Sequence, residues 1–423
     1  MPPPNRWGSW SSSSSSNNVT YPETLAYLYA QLPMFHRIGK AAYKADLGNT
    51  HALMDLLGHP ERGLKCVHIA GTNGKGSTSH MLASILQEAG LRTGLYTSPH
   101  LKDFRERIRV NGAMIPEDVV TSFVERHRTA FEPIALSFFE WTVGLAFDHF
   151  RKEQVDIAVI ETGLGGRLDS TNVVTPEVAV ITTIGWDHAD LLGGTLEAIA
   201  GEKAGIIKPG VPVVIGEAEG PIAQVFRQKA AQEASPITFV DQHADLAHPP
   251  DLAGPHQERN ARTVLEAVRI LQGKGWPIRE EHITRGLART CRNTGLMGRW
   301  QVIGHDPLTI ADVGHNVDGL RVVKEMLART PHERLHVVYG TVADKDTHAA
   351  LAELPREATY HFCRADIPRA LDAVQLQQQA QAAGLRGDAC GSVRAALDAA
   401  RAAAEPGDLV LVTGSVFVVA EAL

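Results

Sequence analysis

Apolar positions in this chain follow two rhythms. Over residues 21–57 they recur at helical spacing, and the short unbroken run Cys66–Ala70 that follows reads as a buried strand ending in a glycine-rich loop. Residues 77–89 return to the helical period, with Met81, Leu82, Ile85, Leu86 and Ala89 on one face and Gly90 as the stop. The runs 155–160, Val178–Ile181 and 211–215 are apolar at consecutive positions, as strands covered on both faces are, and helical stretches such as 196–206 lie between them. This alternation predicts an α/β fold with a mostly parallel, doubly wound sheet. A polar, proline-rich stretch over 241–257 precedes a helix over 258–271, and 290–298 reads as irregular with two glycines, which places a domain boundary at its end. Beyond it, 308–313, Leu335–Tyr339, 359–363 and 408–412 alternate with helical segments, predicting a second, smaller α/β unit. No repeat of fixed period exists to support a solenoid or propeller.

Composition narrows the classes. The chain has 423 residues, 44% hydrophobic and 21% charged, enough apolar material for more than one core. With 41 basic and 48 acidic residues its net charge is −7, which leaves no electrostatic footprint for nucleic acid. No window approaches the roughly 20 apolar residues of a membrane span, and the opening MPPPNRWGSW lacks an apolar signal core, so neither membrane nor export is expected. Cys66, Cys291, Cys363 and Cys390 stand far apart with no CxxC pair, against a zinc site or disulfide scaffold and in keeping with a reducing cytoplasm. Residues 1–20, with the serine run 11–16, read as a disordered tail, leaving 21–297 and 298–423 as the two working units.

The most informative segment is HIAGTNGKGST, residues 68–78. Its glycines let backbone amides approach a phosphate, the following helix start favours an anion, and Lys75 supplies a point charge. It is shorter than the usual GxxxxGK[ST] loop, and Gly76 stands between the lysine and Ser77. Asn73, Gly74, Lys75, Gly76 and Ser77 are therefore candidate phosphate-binding residues, the plain alternative being a glycine-rich turn with an exposed lysine.

The GTNGKGS variant, together with YTSPHL at 96–101, FRERI at 104–108, ETGLGGRLDSTN at 161–172, TTIGWDHADLLG at 182–193, EKAGIIK at 202–208, GRW at 298–300 and DVGHN at 312–316, resembles the folylpolyglutamate synthase/dihydrofolate synthase family of the Mur ligase superfamily. The motifs follow family order over nearly everything from residue 21 onward. The resemblance implies that the phosphate at residues 73–77 is ATP's, and that a P-loop ATPase domain is followed by a smaller Rossmann-like C-terminal domain, with ATP and substrate in the cleft between them. It also implies ATP-driven amide formation: a carboxylate takes the terminal phosphoryl group to become an acyl phosphate, and the amine of L-glutamate displaces phosphate. Two anions must then meet, so cations are needed as charge builds, with Mg²⁺ held by one or two carboxylates and a hydroxyl.

On its position alone, Glu161 is an acid at the end of an apolar strand, where open parallel sheets place ligand groups and where a solvated acid is equally ordinary. The matching motif makes it a Mg²⁺ ligand, with Ser98, otherwise a turn residue before Pro99, as the second. His188 alone would be an exposed loop histidine; the resemblance makes it a ligand of a second magnesium and part of the catalytic machinery. Lys203 alone is a surface lysine beside Glu202; in the family the matching lysine is carbamylated, a carboxylate-like anion serving that second metal, and with Lys75 and His188 it completes the catalytic set. Leu168, Asp169, Ser170 and the segment Ser137, Phe138, Phe139 and Glu140 match the family's pterin-bearing substrate segments. A buried carboxylate suits a pterin's donor edge and a phenylalanine its face, although the phenylalanines of this apolar helix also fit as core. Asn260 matches an ATP-contacting asparagine and also reads as an N-cap. Arg299, Asp312 and His315, one turn beyond, match nucleotide contacts from the small domain, where Val317 replaces the family's proline. His332 and His336 bridge a turn and a strand and are set aside as a metal pair.

The sequence is thus read as an ATP- and Mg²⁺-dependent carboxylate–amine ligase adding L-glutamate to dihydropteroate, to folate, or to both, the bifunctional form leading and a folylpolyglutamate synthase alone as the alternative. It is expected to be a cytoplasmic monomer. A Mur-type ligase of nucleotide-linked peptides would need an N-terminal domain for which about 50 residues are too few, and a non-catalytic nucleotide-binding regulator should lack Lys75, Glu161 or His188.

Overall fold

The computed structural model describes residues 19–30, 46–186, 189–343 and 347–423. Its larger sheet has eight strands: β1 (Cys66–Ala70), β2 (Thr93–Tyr96), β3 (Ile108–Val110), β4 (Ala113–Met114), β5 (Ile157–Glu161), β6 (Val178–Ile181), β7 (Val213–Ile215) and β8 (Ile237–Phe239). They run in the order β4-β3-β2-β5-β1-β6-β7-β8. The six from β2 to β8 are parallel, and β3 and β4 add an antiparallel edge. Period-two alternation divides each central strand between two cores. Val67, Ile69, Ile157 and Val159 join Met81, Leu82, Ile85 and Leu86 of the helix Lys75–Glu88, while Cys66, Ala158 and Ile160 join Trp141, Leu145 and Phe150 of the helix Phe138–Lys152. The connection leaving β1 runs toward β2 and that leaving β6 toward β7, so strand order reverses between these neighbours. The glycine-rich loop follows β1 at this switch point, where open α/β sheets bind ligands.

The smaller sheet holds β9 (Gln301–His305), β10 (Leu308–Ala311), β11 (Leu335–Tyr339), β12 (Thr359–Phe362), β13 (Arg386–Ala389) and β14 (Leu409–Thr413), ordered β13-β12-β11-β14-β10-β9. All are parallel except β9. No helix among the described residues is long and apolar enough to cross a membrane.

Several boundaries differ from the sequence reading for local reasons. The helix expected from residue 77 starts at Lys75, because Gly74 adopts φ +85° as its cap and turns the chain into the helix two residues sooner. The helix expected over 258–271 runs Pro255–Gly273: Gly254 precedes it at φ +108°, and Pro255 fits the first turn, where no amide donor is needed. Asn260 therefore sits in its second turn and is not an N-cap. The irregular stretch 290–298 contains a short helix, Thr290–Thr294, ended by Gly295 at φ +66°. The strand over 155–160 shifts to Ile157–Glu161, which places Glu161 inside the sheet. Strands β9 and β13 were not read from sequence, because both are partly exposed edges with no apolar run. Of the tail, residues 1–18 lie outside the described residues, while Thr20 is ordered: its amide donates to Glu23 Oε2 at 2.9 Å ahead of the helix Tyr21–Ala30. That helix and Gly48–Leu56 are the described parts of the helical stretch over 21–57.

Two buried histidines set an acid limit on this fold. Burial pushes His68 in β1 and His80 in the following helix down from 6.5 to about 3, so both are neutral when folded. Once unfolded each takes a proton near pH 6.5, so their contribution to stability is fully present above that pH and is lost as pH falls toward 3. Each histidine accounts for about 1.4 kcal/mol per pH unit within the window. The urea midpoint is expected to drop between pH 7 and pH 5, with a shallower slope in His68→Asn; an unchanged slope in that variant contradicts this origin.

Candidate active site

The loop after β1 is pinned to the strand beside it. Thr182 N donates to Ala70 O at 2.9 Å and Thr72 N to Thr183 O at 2.8 Å. The approach requires glycine: a Cβ on Gly71 would lie 1.8 Å from Thr182 Oγ1, and one on Gly74 would lie 2.4 Å from Asn260 Oδ1. Asn260, whose Nδ2 donates to Gln257 Oε1 at 3.0 Å, thereby braces the loop from behind. Lys75 Nζ donates to Gly71 O at 3.0 Å and Thr72 O at 3.2 Å. Lys203 is only 4% exposed, and its Nζ reaches the same Gly71 carbonyl at 2.9 Å. Two amines from different helices thus converge on one carbonyl of the loop, and Lys203 is not the surface lysine its sequence setting resembles.

Above the loop lies a cavity of about 920 Å³. From the large domain Lys75, Gly76, Ser98 and Glu161 line it; from the small domain Arg299 and His315 do. A Cβ on Gly76 would lie 3.3 Å from Arg299 Nη2 and 3.9 Å from Glu161 Oε2, so the guanidinium stands directly over the loop. Glu161 Oε2 accepts from Ser98 N at 3.3 Å. Burial pushes this carboxyl up to about 7, against the opposing pull of Lys75, the Ser98 amide and Arg299. A buried carboxylate facing a phosphate loop beside a serine fits a hard cation, which favours oxygen ligands and shares them with phosphates. Among the described residues no three His, Cys, Asp or Glu side chains gather as a metal cage. His188 lies outside the described residues.

At the other end, Phe139, Leu168, Asp169 and Ser170 line the cavity together with Ser137 and Glu140. The last two also form a reciprocal cap of the helix Phe138–Lys152: Glu140 N donates to Ser137 Oγ, and Ser137 N to Glu140 Oε2. Phe139 lies against Gly163, where a Cβ would come within 2.5 Å of its Cζ. Phe138 turns the other way, into the core against Phe104 at a ring-centroid distance of 5.9 Å, so the structure does not place it at the cavity as a substrate contact. Asp169 Oδ2 accepts from the amides of Gly163 and Leu164, and Oδ1 from the amide and hydroxyl of Thr171. Burial still raises its carboxyl above the ordinary range. His68 completes the chain, its Nε2 2.8 Å from Thr171 Oγ1. Because that hydroxyl donates to Asp169, His68 must donate to it and carries its proton on Nε2.

Asp312 is placed behind the cavity wall. Its oxygens accept from Trp300 N and Gly314 N, and it orients the loop that carries His315. His315 stands in that loop with no helical turn between the two, its Nδ1 2.9 Å from Val313 O. Sequence reasoning missed Asn316, whose side-chain amide exchanges hydrogen bonds at 3.1 and 3.4 Å with that of Asn73 and so joins the small domain to the loop. Arg107 was likewise passed over within FRERI, and His68 within its strand.

Two family models match the chain: the Mur ligase middle domain over residues 69–265 and the Mur ligase glutamate ligase domain over 298–416. The dihydrofolate synthase/folylpolyglutamate synthase of Escherichia coli is 37% identical over 371 residues, covering 84% of this chain and 85% of the relative. That of Bacillus subtilis is 36% identical over 365 residues, covering 78% and 84%. A probable bifunctional folylpolyglutamate synthase/dihydropteroate synthase of Haloferax volcanii is 36% identical over 405 residues, and there the chain spans about half the relative, 47%. The solved structure of E. coli FolC in complex with DHPP and ADP superposes with a TM-score of 0.84 at 32% identity, over 95% of this chain and 96% of that one. A bifunctional folylpolyglutamate synthase/dihydrofolate synthase with Mn, AMPPNP and L-glutamate bound superposes at 0.82 with 30% identity, over 95% and 97%.

Proposed function

The chain belongs to the folylpolyglutamate synthase/dihydrofolate synthase family of Mur ligases, and from that premise we propose that it is an ATP-dependent ligase joining L-glutamate to a pterin-bearing carboxylate, with dihydropteroate and folate both as acceptors. One observation carries the reading: a single cavity runs from the P-loop, past Glu161, to the Phe139 and Asp169 end, and is closed by Arg299 and His315 of the small domain. The acceptor's carboxylate oxygen attacks the terminal phosphorus of ATP, the bond to the bridging oxygen breaks, and ADP leaves. The neutral amine of glutamate then attacks the acyl carbon, phosphate departs, and the amine's proton passes to solvent. Lys75 and Arg299 offset the charge that builds between the two anions. Glu161 and Ser98 would hold Mg²⁺, which supplies further neutralisation of the phosphates. The carboxylate of Asp169 is fully engaged by Gly163, Leu164 and Thr171, so it shapes the pterin end chiefly through the loop it holds.

Residues 21–297 and 298–423 are the two working units in this reading, and a monomer suffices, since all cavity groups named here come from one chain. We place the activity in the cytoplasm, where ATP and glutamate are plentiful. A second metal would take His188 and a Lys203 whose amine has added CO₂ with release of a proton. Intact-protein mass measured under bicarbonate is expected to show the added carboxyl group, absent from Lys203→Arg; an active enzyme that never carries it removes this part.

The decisive assay incubates the purified chain with ATP, Mg²⁺ and L-glutamate, adding dihydropteroate or tetrahydrofolate separately, and scores phosphate and new amide together. Phosphate release that ignores the pterin acid overturns the reading. Turnover with tetrahydrofolate alone leaves only the folylpolyglutamate synthase activity.

A further inference from the structure

Arg107 ends the short helix Phe104–Arg107 just before β3 and is among the residues that line the cavity. It is 1% exposed and ranks among the largest fully buried side chains. Nε donates to His100 Nδ1 at 2.7 Å, and the guanidinium carbon stands 5.2 Å from the Phe138 ring centroid. Nη2 has no hydrogen-bond partner among the described residues, and the carboxylates of Glu161 and Glu106 act on this side chain only through space, with no hydrogen bond to it. The nearest acid in sequence, Glu106, spends its oxygens on the amides of Leu101, Lys102 and Asp103. A guanidinium cannot shed its proton to escape burial, so a permanent charge sits in the protein interior with one arm of its fork unused. Such a group is costly unless something charged and planar comes to meet it.

Its place narrows what that is. Lys75 and Arg299 already face the phosphate loop. Arg107 lies instead over Phe138, whose neighbour Phe139 lines the same cavity with its ring 6.2 Å from Tyr96, on the strand next to Glu161. That wall lies between the aromatic end of the cavity and its phosphate end, where an acceptor carboxylate must rest before it attacks. We propose that Arg107 is a substrate-binding residue that grips the reacting carboxylate of the pterin-bearing acid through its guanidinium. The inference rests on the ligase reading and names the group that aligns its acceptor.

The test measures binding, so that catalysis is scored separately. Pteroate and its carboxamide are titrated into the full chain with ADP and Mg²⁺. The parent is expected to hold the acid at least about tenfold more tightly than the amide, the scale of one charge-assisted hydrogen bond. In Arg107→Met, which keeps the length over Phe138 but removes the unmatched charge, the two ligands should bind within about twofold of each other. ADP affinity should be unchanged, and thermal unfolding no lower than in the parent. A merely structural arginine would behave oppositely, with lost stability and kept discrimination. Retained discrimination, a fall in ADP affinity matching that of pteroate, or collapse of the fold in both Arg107→Met and Arg107→Gln overturns the proposal. If only the Met variant fails to fold, the same criteria apply to Arg107→Gln. A parent that prefers the acid yet forms no glutamyl amide sinks the ligase reading and leaves Arg107 standing.

Discussion

Replacing Lys75 with alanine is expected to lower kcat for amide formation by about 10³-fold or more, with thermal unfolding close to that of the parent. The rate loss follows from the proposed chemistry: the ammonium is the loop's own cation, and removing a group aimed at charge that develops during phosphoryl transfer has consequences on this scale. Stability should hold because Lys203 still donates to Gly71 O when Lys75 is gone. Phosphate release and glutamyl product, measured in one reaction, should fall together. Turnover within tenfold of the parent would remove Lys75 from the mechanism, and phosphate release without product would mean that it guards the intermediate instead of helping to make it.

The second large effect is expected from Glu161→Gln. Glutamine keeps the shape and can still accept from the Ser98 amide, but it carries no charge for a cation. Loss of a direct ligand should exceed the ten- to hundredfold weakening typical of outer-shell partners, so Mn²⁺ titrated in the presence of ADP should bind the variant at least about a hundredfold more weakly. Turnover should collapse at any practical Mg²⁺ concentration. Stability should move the other way or stay level, since burial disfavours the ionised carboxylate and the amide has no such cost. Unaltered Mn²⁺ affinity would exclude Glu161 as a ligand.

What could be read in the sequence, and what could not, divides along physical lines. Cys66–Ala70 followed by GTNGKGS was legible because a short strand buried on both faces is mostly apolar, and a loop pressed against Thr182 and Asn260 needs glycine at Gly71 and Gly74. Lys203 was illegible from its neighbours, because its depth comes from a carbonyl 132 residues away in sequence. The link from His68 to Thr171, which passes on to Asp169, spans 103 residues, and no short window along the chain contains it. Arg107 looks like one charge among several in FRERI, and its removal from water comes from tertiary packing, with Phe138 against its guanidinium. The two phenylalanines could not be divided between core and cavity until the capped start of their helix set which faced inward. Partly polar edge strands such as β13 carry no rhythm to detect.

The paired amides of Asn73 and Asn316 deserve to be followed into pharmacology. They tie the nucleotide loop to the N-cap of the helix Val317–Arg329, where Asn316 Oδ1 also accepts from Gly319 N at 2.7 Å. A small molecule wedged between those two asparagines would sever the amide clasp that joins the lobes there. It would hold them ajar and inhibit without resembling ATP or pterin, and resistance to it should arise first at Asn73 or Asn316.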